Sequence, residues 1–193
     1  MTRIVFLLGI PGLVIATGTC ATAQTITREQ AMRAAIHPVP DQATMQAWLS
    51  RVPVTRQFPD DFASTLSGQG PAFVIEMSTA ARCVPCGDLW TKLVTLGRRY
   101  GWKVQTIHPN EAMIRSGRLG LPWVGHPVAW VRPITDEGRV VPIAIGTDHS
   151  PNLARNLYLA AKMLTGVRPA VGVRAMSKFT GIVEMPPPPR GKR

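Results

Sequence analysis

The chain predicts an α/β fold, a central mixed β-sheet flanked by helices, preceded by a helical N-terminal extension. Three observations carry that expectation. From Phe73 onward, short apolar runs alternate with stretches of helical periodicity. A C-x-x-C, Cys83-Val84-Pro85-Cys86, falls where the first apolar run gives way to the first long helical pattern. A second landmark, His126-Pro127, opens a later apolar run, Val128 to Val131.

The chain divides into four segments. The first 23 of its 193 residues read as a cleavable secretory leader. Arg3 supplies the positive start, Ile4 to Ile15 the apolar stretch, and Ala21-Thr22-Ala23 the small-x-small site before Gln24. The apolar stretch is too short for a good membrane span. The expected location is therefore periplasmic. Residues 24–70 read as the helical extension, 71–167 as the α/β domain, and 168–193 as a C-terminal segment with a proline-rich basic tail. The formal charge is +11. No dense basic block exists outside Arg190-Gly191-Lys192-Arg193 and no aromatic-basic interleaving occurs, so a scattered solvated surface is favoured over nucleic-acid binding.

Element by element, Thr27 and Gln30 have capping-box spacing before Ala31 to Ile36. His37-Pro38-Val39-Pro40 breaks that helix. Asp41 can cap a second one with Met45, Trp48, Leu49 and Val52 on one stripe. Pro53 and Pro59 end regular structure, and Ser64 to Pro71 reads as a turn or short helix followed by a loop. Phe73 to Met77 has the composition of a buried central strand. The helix after the C-x-x-C carries Leu89, Leu93, Leu96 and Tyr100 on one face. Arg98 and Arg99 suit its last turn, and Gly101 suits its cap. Lys103 to Ile107 reads as a strand. Asn110 can cap a short helix through Ile114, closed by Gly117 and Gly120. Leu121 to Gly125 is a loop. Pro133 to Gly138 is a turn of the kind that joins antiparallel strands, here Val128–Val131 and Val140–Ile145. Ser150 is the candidate N-cap and Pro151 the N1 residue of a last helix with Leu153, Leu157, Ala161 and Leu164 on its stripe and Gly166 after it. Arg168 to Glu184 shows no clear pattern, and Pro186 to Arg193 reads as extended.

The cysteine arithmetic points to chemistry. Cys20 leaves with the leader, so the exported chain keeps only Cys83 and Cys86. A disulfide between them closes a very short loop and gains little chain entropy. Two vicinal thiols at a strand-to-helix junction suit thiol–disulfide exchange: one thiolate attacks, the other resolves the mixed disulfide. Cys83 is the expected nucleophile, because a helix N-terminus favours an anion and Arg82 adds a positive charge. Cys86, one turn in, is the expected resolving thiol. Pro85 holds the first turn. Against this stands a purely structural disulfide. A zinc site lacks a second C-x-x-C. A metal site from Cys83, Cys86 and His126 is a weaker alternative, with zinc or copper as the chemically suited ion. His126 reads either as a tuning or groove-lining residue or as an ordinary loop residue. Trp123 reads as loop packing or as a peptide contact, and Trp90 as packing. Glu76 reads as a buried proton acceptor for Cys86, or as a residue facing solvent or a basic partner. His37, His108 and His149 have no metal or triad spacing. No serine elbow, phosphate loop or paired-carboxylate pattern is visible.

The order strand, C-x-x-C helix, strand, helix, X-Pro strand, hairpin, strand, helix over roughly residues 71–166 resembles the thioredoxin fold. That family opens its helix with C-x-P-C, as Cys83-Val84-Pro85-Cys86 does, and starts a strand with a cis-proline facing the dithiol, where Gly125-His126-Pro127-Val128 falls. The resemblance implies that Pro127 is cis and that the His126 backbone pairs with an incoming peptide by strand addition. Two departures stand out. Arg82 replaces the family's Trp before the first Cys, and Glu76 lies one residue further from that Cys than the family's buried Asp. The segment Arg99-Tyr100-Gly101-Trp102-Lys103-Val104 is also similar to the periplasmic thioredoxin-like proteins of conjugative type IV secretion systems, the TraF and TrbB group.

The expected function is thus an exported thiol–disulfide oxidoreductase or isomerase acting on cysteines of other exported proteins, in secretion or conjugative pilus assembly. Its redox group is its own Cys83–Cys86 pair, with no separate cofactor and no metal. The expected partners are cysteine-containing exported proteins, a membrane redox partner and type IV secretion components, not nucleic acid. The direction of exchange stays open. The alternatives are a non-catalytic docking component of a secretion apparatus and, more weakly, a metal chaperone.

Overall fold

The computed structural model describes residues 36–121 and 123–185. The expected leader, the capping box at Thr27 and Gln30, Pro122 and the tail at 186–193 lie outside the described residues. The architecture is α/β, a mixed sheet flanked by helices. Its elements are β1 (His37–Val39), α1 (Gln42–Leu49), α2 (Phe62–Gln69), β2 (Phe73–Ser78), α3 (Val84–Tyr100), β3 (Lys103–Ile107), α4 (Pro109–Arg118), β4 (Val128–Pro133), β5 (Val141–Ile145), α5 (Ser150–Thr165), α6 (Pro169–Ala175) and β6 (Ile182–Glu184).

The main sheet has the order β3-β2-β4-β5. β2 and β3 run parallel, and β4 runs antiparallel to both β2 and β5. This follows from the connections. A helix joins β2 to β3, which allows a parallel crossover, while a tight turn joins β4 to β5. β2 is central, and all six of its residues are buried. Its side chains alternate between two layers. Phe73, Ile75 and Met77 pack with Leu89, Leu93 and Leu96 of α3 and Leu153, Leu157 and Ala161 of α5. On the other face, Trp130 of β4 packs with Ile107 and with Ala112 of α4. The sheet is therefore covered by α3 and α5 on one side and by α4 on the other.

α3 forms because its apolar residues recur at helical spacing, and all four stripe residues are buried. It stops at Gly101, whose φ of 76° lies in the left-handed region that a residue without Cβ adopts freely. Asp41 caps α1 as expected, its carboxylate accepting from the Thr44 N–H at 2.8 Å. α4 differs from expectation: it runs Pro109–Arg118, and His108 rather than Asn110 is its cap, with Nδ1 accepting from the Asn110 N–H. α5 begins at Ser150 with His149 in the cap position.

The larger corrections lie at the two ends. Residues 37–39, expected to be a mere break, form β1, which pairs in parallel with β6 from the unpatterned C-terminal segment. The described part of the expected helical extension is no appendage. Leu66 is fully buried in the main core, and the Trp102 indole N–H donates to the Leu66 carbonyl at 2.8 Å. Val39, Met45, Leu49 and Ile182 make a second small core, against which Val84 of α3 packs. Among the described residues, no helix is long and apolar enough to cross a membrane.

Candidate active site

β2 delivers the chain to the end of the sheet, Thr79 to Arg82 turn it, and α3 starts at Val84. Cys83 is the N-cap of α3. Its backbone is extended, so its side chain folds over the open N-terminal amides, where Sγ accepts from the Cys86 N–H at 3.2 Å. Cys83 and Cys86 are disulfide-bonded, with Cα atoms 5.2 Å apart. Pro85 is buried in the first turn, where its missing N–H leaves no helical bond unmade. Arg82 is exposed and takes φ 61°, the left-handed region. That turn aims the Cys83 cap inward. Cys86 is more deeply buried than Cys83, at 3 % against 9 % exposure. Cys83 is thus the more accessible of the two sulfurs.

A cleft of about 550 Å³ opens beside the pair, lined by Met77, Ala80, Arg82, Trp90 and Thr106 among others. On the opposite flank comes the loop before β4. The His126–Pro127 peptide is cis, and the His126 carbonyl oxygen stands 3.9 Å from Cys83 Sγ. The His126 ring is buried, and its Nδ1 has no hydrogen-bond partner among the described residues. Burial lowers the pKa of His126, so the imidazole is neutral at pH 7. Trp123 meets that ring edge-on, with centroids 4.9 Å apart. Cys83, Cys86, Arg82, Pro85, His126 and Pro127 therefore gather in one place, with Trp123 behind His126.

Glu76 does not join them. Ile75 and Met77 face the cysteine layer, so strand alternation turns Glu76 to the other face. There it takes hydrogen bonds from Gln105 and Arg132, at 2.8 and 2.9 Å, and an ion pair from Arg115. Burial pushes its pKa up, but Arg115 first, then Gln105 and Arg132, outweigh that and hold it below the usual carboxylate range. Of the two readings of Glu76, this geometry is that of the residue facing a basic partner, not of a proton acceptor for Cys86: it is the anion between Arg115 and the buried Arg132.

The site also contains residues that sequence reasoning passed over. The Glu184 N–H donates to the His126 carbonyl at 2.7 Å. Thr147, before α5, donates its hydroxyl to Asp88 of α3, which also pairs with Lys92. The only signal for Glu184 was the short apolar run Ile182-Val183 after Gly181, too brief to distinguish from loop. Among the described residues, no group of three His, Cys, Asp or Glu side chains could hold a metal ion. Chemically, a sulfur held under helix amides beside an open cleft, with a second sulfur one turn away, can undergo disulfide exchange. Comparison with family models, curated proteins and solved structures finds no match to this chain.

Proposed function

We propose that this chain is a thiol–disulfide oxidoreductase of thioredoxin-like fold, exported to the periplasm and acting on cysteines of other exported proteins. The observation that carries the reading is the Cys83 sulfur at the N-cap of α3, receiving the Cys86 N–H and facing the His126 loop. In the disulfide-donating direction, a substrate thiolate attacks Cys83 Sγ and Cys86 leaves as thiolate. A second substrate thiolate then attacks the mixed disulfide, and Cys83 leaves. The substrate loses two electrons as its disulfide forms, and the protein dithiol gains them. The helix N-terminus and Arg82 favour the Cys83 thiolate, which stabilises the reduced pair and tilts the protein toward donating its disulfide. A membrane redox partner would then reoxidise the pair. Work within secretion or conjugative assembly is the setting that the resemblance suggests.

The test is the reduction potential of the pair by equilibration with glutathione. A value nearer roughly −120 mV than roughly −270 mV supports the donating direction, and the reverse makes the protein a reductase. A pair that exchanges with nothing sinks the enzyme reading. A docking role is then favoured by the groove of about 470 Å³ lined by His37, Trp48, Val52, Val54 and Phe179 among others. In that case replacing both cysteines by Ser leaves function intact.

A further inference from the structure

The redox reading needs a place for the substrate chain. A peptide whose cysteine is joined to Cys83 must run past the carbonyl that stands 3.9 Å from Cys83 Sγ, that of His126. Extended peptides bind such an edge by adding a strand, using backbone N–H and C=O groups. In this protein that edge is already taken. The Glu184 N–H occupies the His126 carbonyl at 2.7 Å. Burial raises the Glu184 pKa, and the nearby His126 backbone N–H opposes that rise. Gly125 lies against the same residue: a Cβ there would be in ordinary contact with Glu184 Cγ, at 3.9 Å.

The strand behind Glu184 is well anchored. Ile182 and Val183 are buried, at 1 % exposure each. The Thr147 N–H donates to the Ile182 carbonyl at 3.1 Å, and the Gly181 N–H donates to the Ile145 carbonyl at 2.9 Å. β1 covers the other edge of β6. Met185, one residue on, is exposed at 51 %. The anchored strand therefore ends in a single residue lying on the His126 edge, followed by the exposed Met185. The cleft on the Arg82 and Trp90 side of the dithiol remains open.

We propose that Glu184 is a built-in occupant of the substrate edge: it keeps extended polypeptide off the His126 backbone until a substrate segment displaces it, while small thiols reach Cys83 through the open cleft. This rests on the redox reading above, and it adds a selection step that reading lacks. The anchored part of β6 stays in place, and only the last residue exchanges partners.

The test compares two thiols on the full chain, glutathione and a short extended peptide with one cysteine, by the rate at which each reduces the Cys83–Cys86 disulfide. Glu184→Pro removes the N–H that bonds His126, together with the carboxylate. It should raise the ratio of the peptide rate to the glutathione rate about tenfold, the size of one net hydrogen bond. Glu184→Ala keeps the N–H and should give a smaller rise. An unchanged ratio with normal glutathione exchange overturns the proposal and leaves the redox reading standing. A disulfide that reacts with neither thiol overturns both. A second measurement does not depend on the proline variant folding. In the Cys86→Ser protein trapped as a mixed disulfide with the peptide, the Glu184 amide should lose its hydrogen-exchange protection relative to the free protein. Retained protection overturns the displacement.

Discussion

Glu76 is buried between two strands and bears its charge among Arg115, Arg132 and Gln105. A buried carboxylate with two guanidinium partners is held charged, and the arginines are left uncompensated if it is removed. Glu76→Ala should therefore cost about 3 kcal/mol of stability, read as a fall in melting temperature. The reactivity of the folded protein's disulfide toward glutathione should not change, because the sheet separates Glu76 from the cysteine layer. A shifted pH profile of exchange in this variant would tie Glu76 to the cysteine pair after all. Arg82 makes the complementary point. Its exposure and its left-handed backbone serve the turn that presents Cys83, so its position beside the sulfur follows from the local chain path.

At the scale of elements, the joint between β6 and the end of β5 decides what the dithiol faces. Gly146 has φ 82°, and a Cβ there would meet the Ile182 carbonyl oxygen at 2.7 Å. Only a residue without a side chain lets the two backbones approach this closely. Gly146→Ala should destabilise the protein by about 2 kcal/mol, through the left-handed backbone and the clash together. It should also loosen β6, so hydrogen exchange at Ile182 and Glu184 should speed up more than at Ile75 in β2. Equal acceleration at all three would mean that the glycine supports the whole sheet and has no special bearing on the strand. α3 needs no such help. Its buried stripe, its cap at Gly101 and its cationic last turn each follow from residues within the helix itself.

For the whole molecule, the ties between the described N-terminal helices and α5 give stability a pH dependence. Asp61, before α2, accepts from Lys162 and Tyr158 of α5. The Lys162 bond first, then the Tyr158 bond, lower its pKa to about 2. A carboxylate whose folded pKa is depressed adds stability above its ordinary pKa, and that stability is lost as pH falls through the folded value. Asp61→Asn should therefore flatten the fall in melting temperature between about pH 4 and about pH 2. Glu76 has the same sign and keeps some of the slope. Asp148 and Glu184 are raised by burial and carry the opposite sign, their cost easing as pH falls. A variant with an unchanged slope would mean that the Asp61 tie does not hold in solution.

The sequence alone determined the elements whose causes are local. The strands β2 and β3, the stripe and cap of α3, the hairpin after β4 and the pairing of Cys83 with Cys86 were all legible, since periodicity, turn residues and close spacing lie within one stretch of chain. Only the tertiary structure decided the rest. Which face of β2 Glu76 turns to depends on what packs against each side of the sheet. Whether His37-Pro38-Val39 is a break or a strand depends on Ile182 to Glu184 lying alongside it. That Glu184 rests on His126 depends on the left-handed backbone at Gly181 and a close approach at Gly146. Contacts of this kind join residues far apart in the chain, and a three-residue strand carries too little periodicity to announce its partner. The residues of the cysteine pair could be read in order, whereas the strand that lies on His126 forms only when β1 and β6, far apart in the chain, meet.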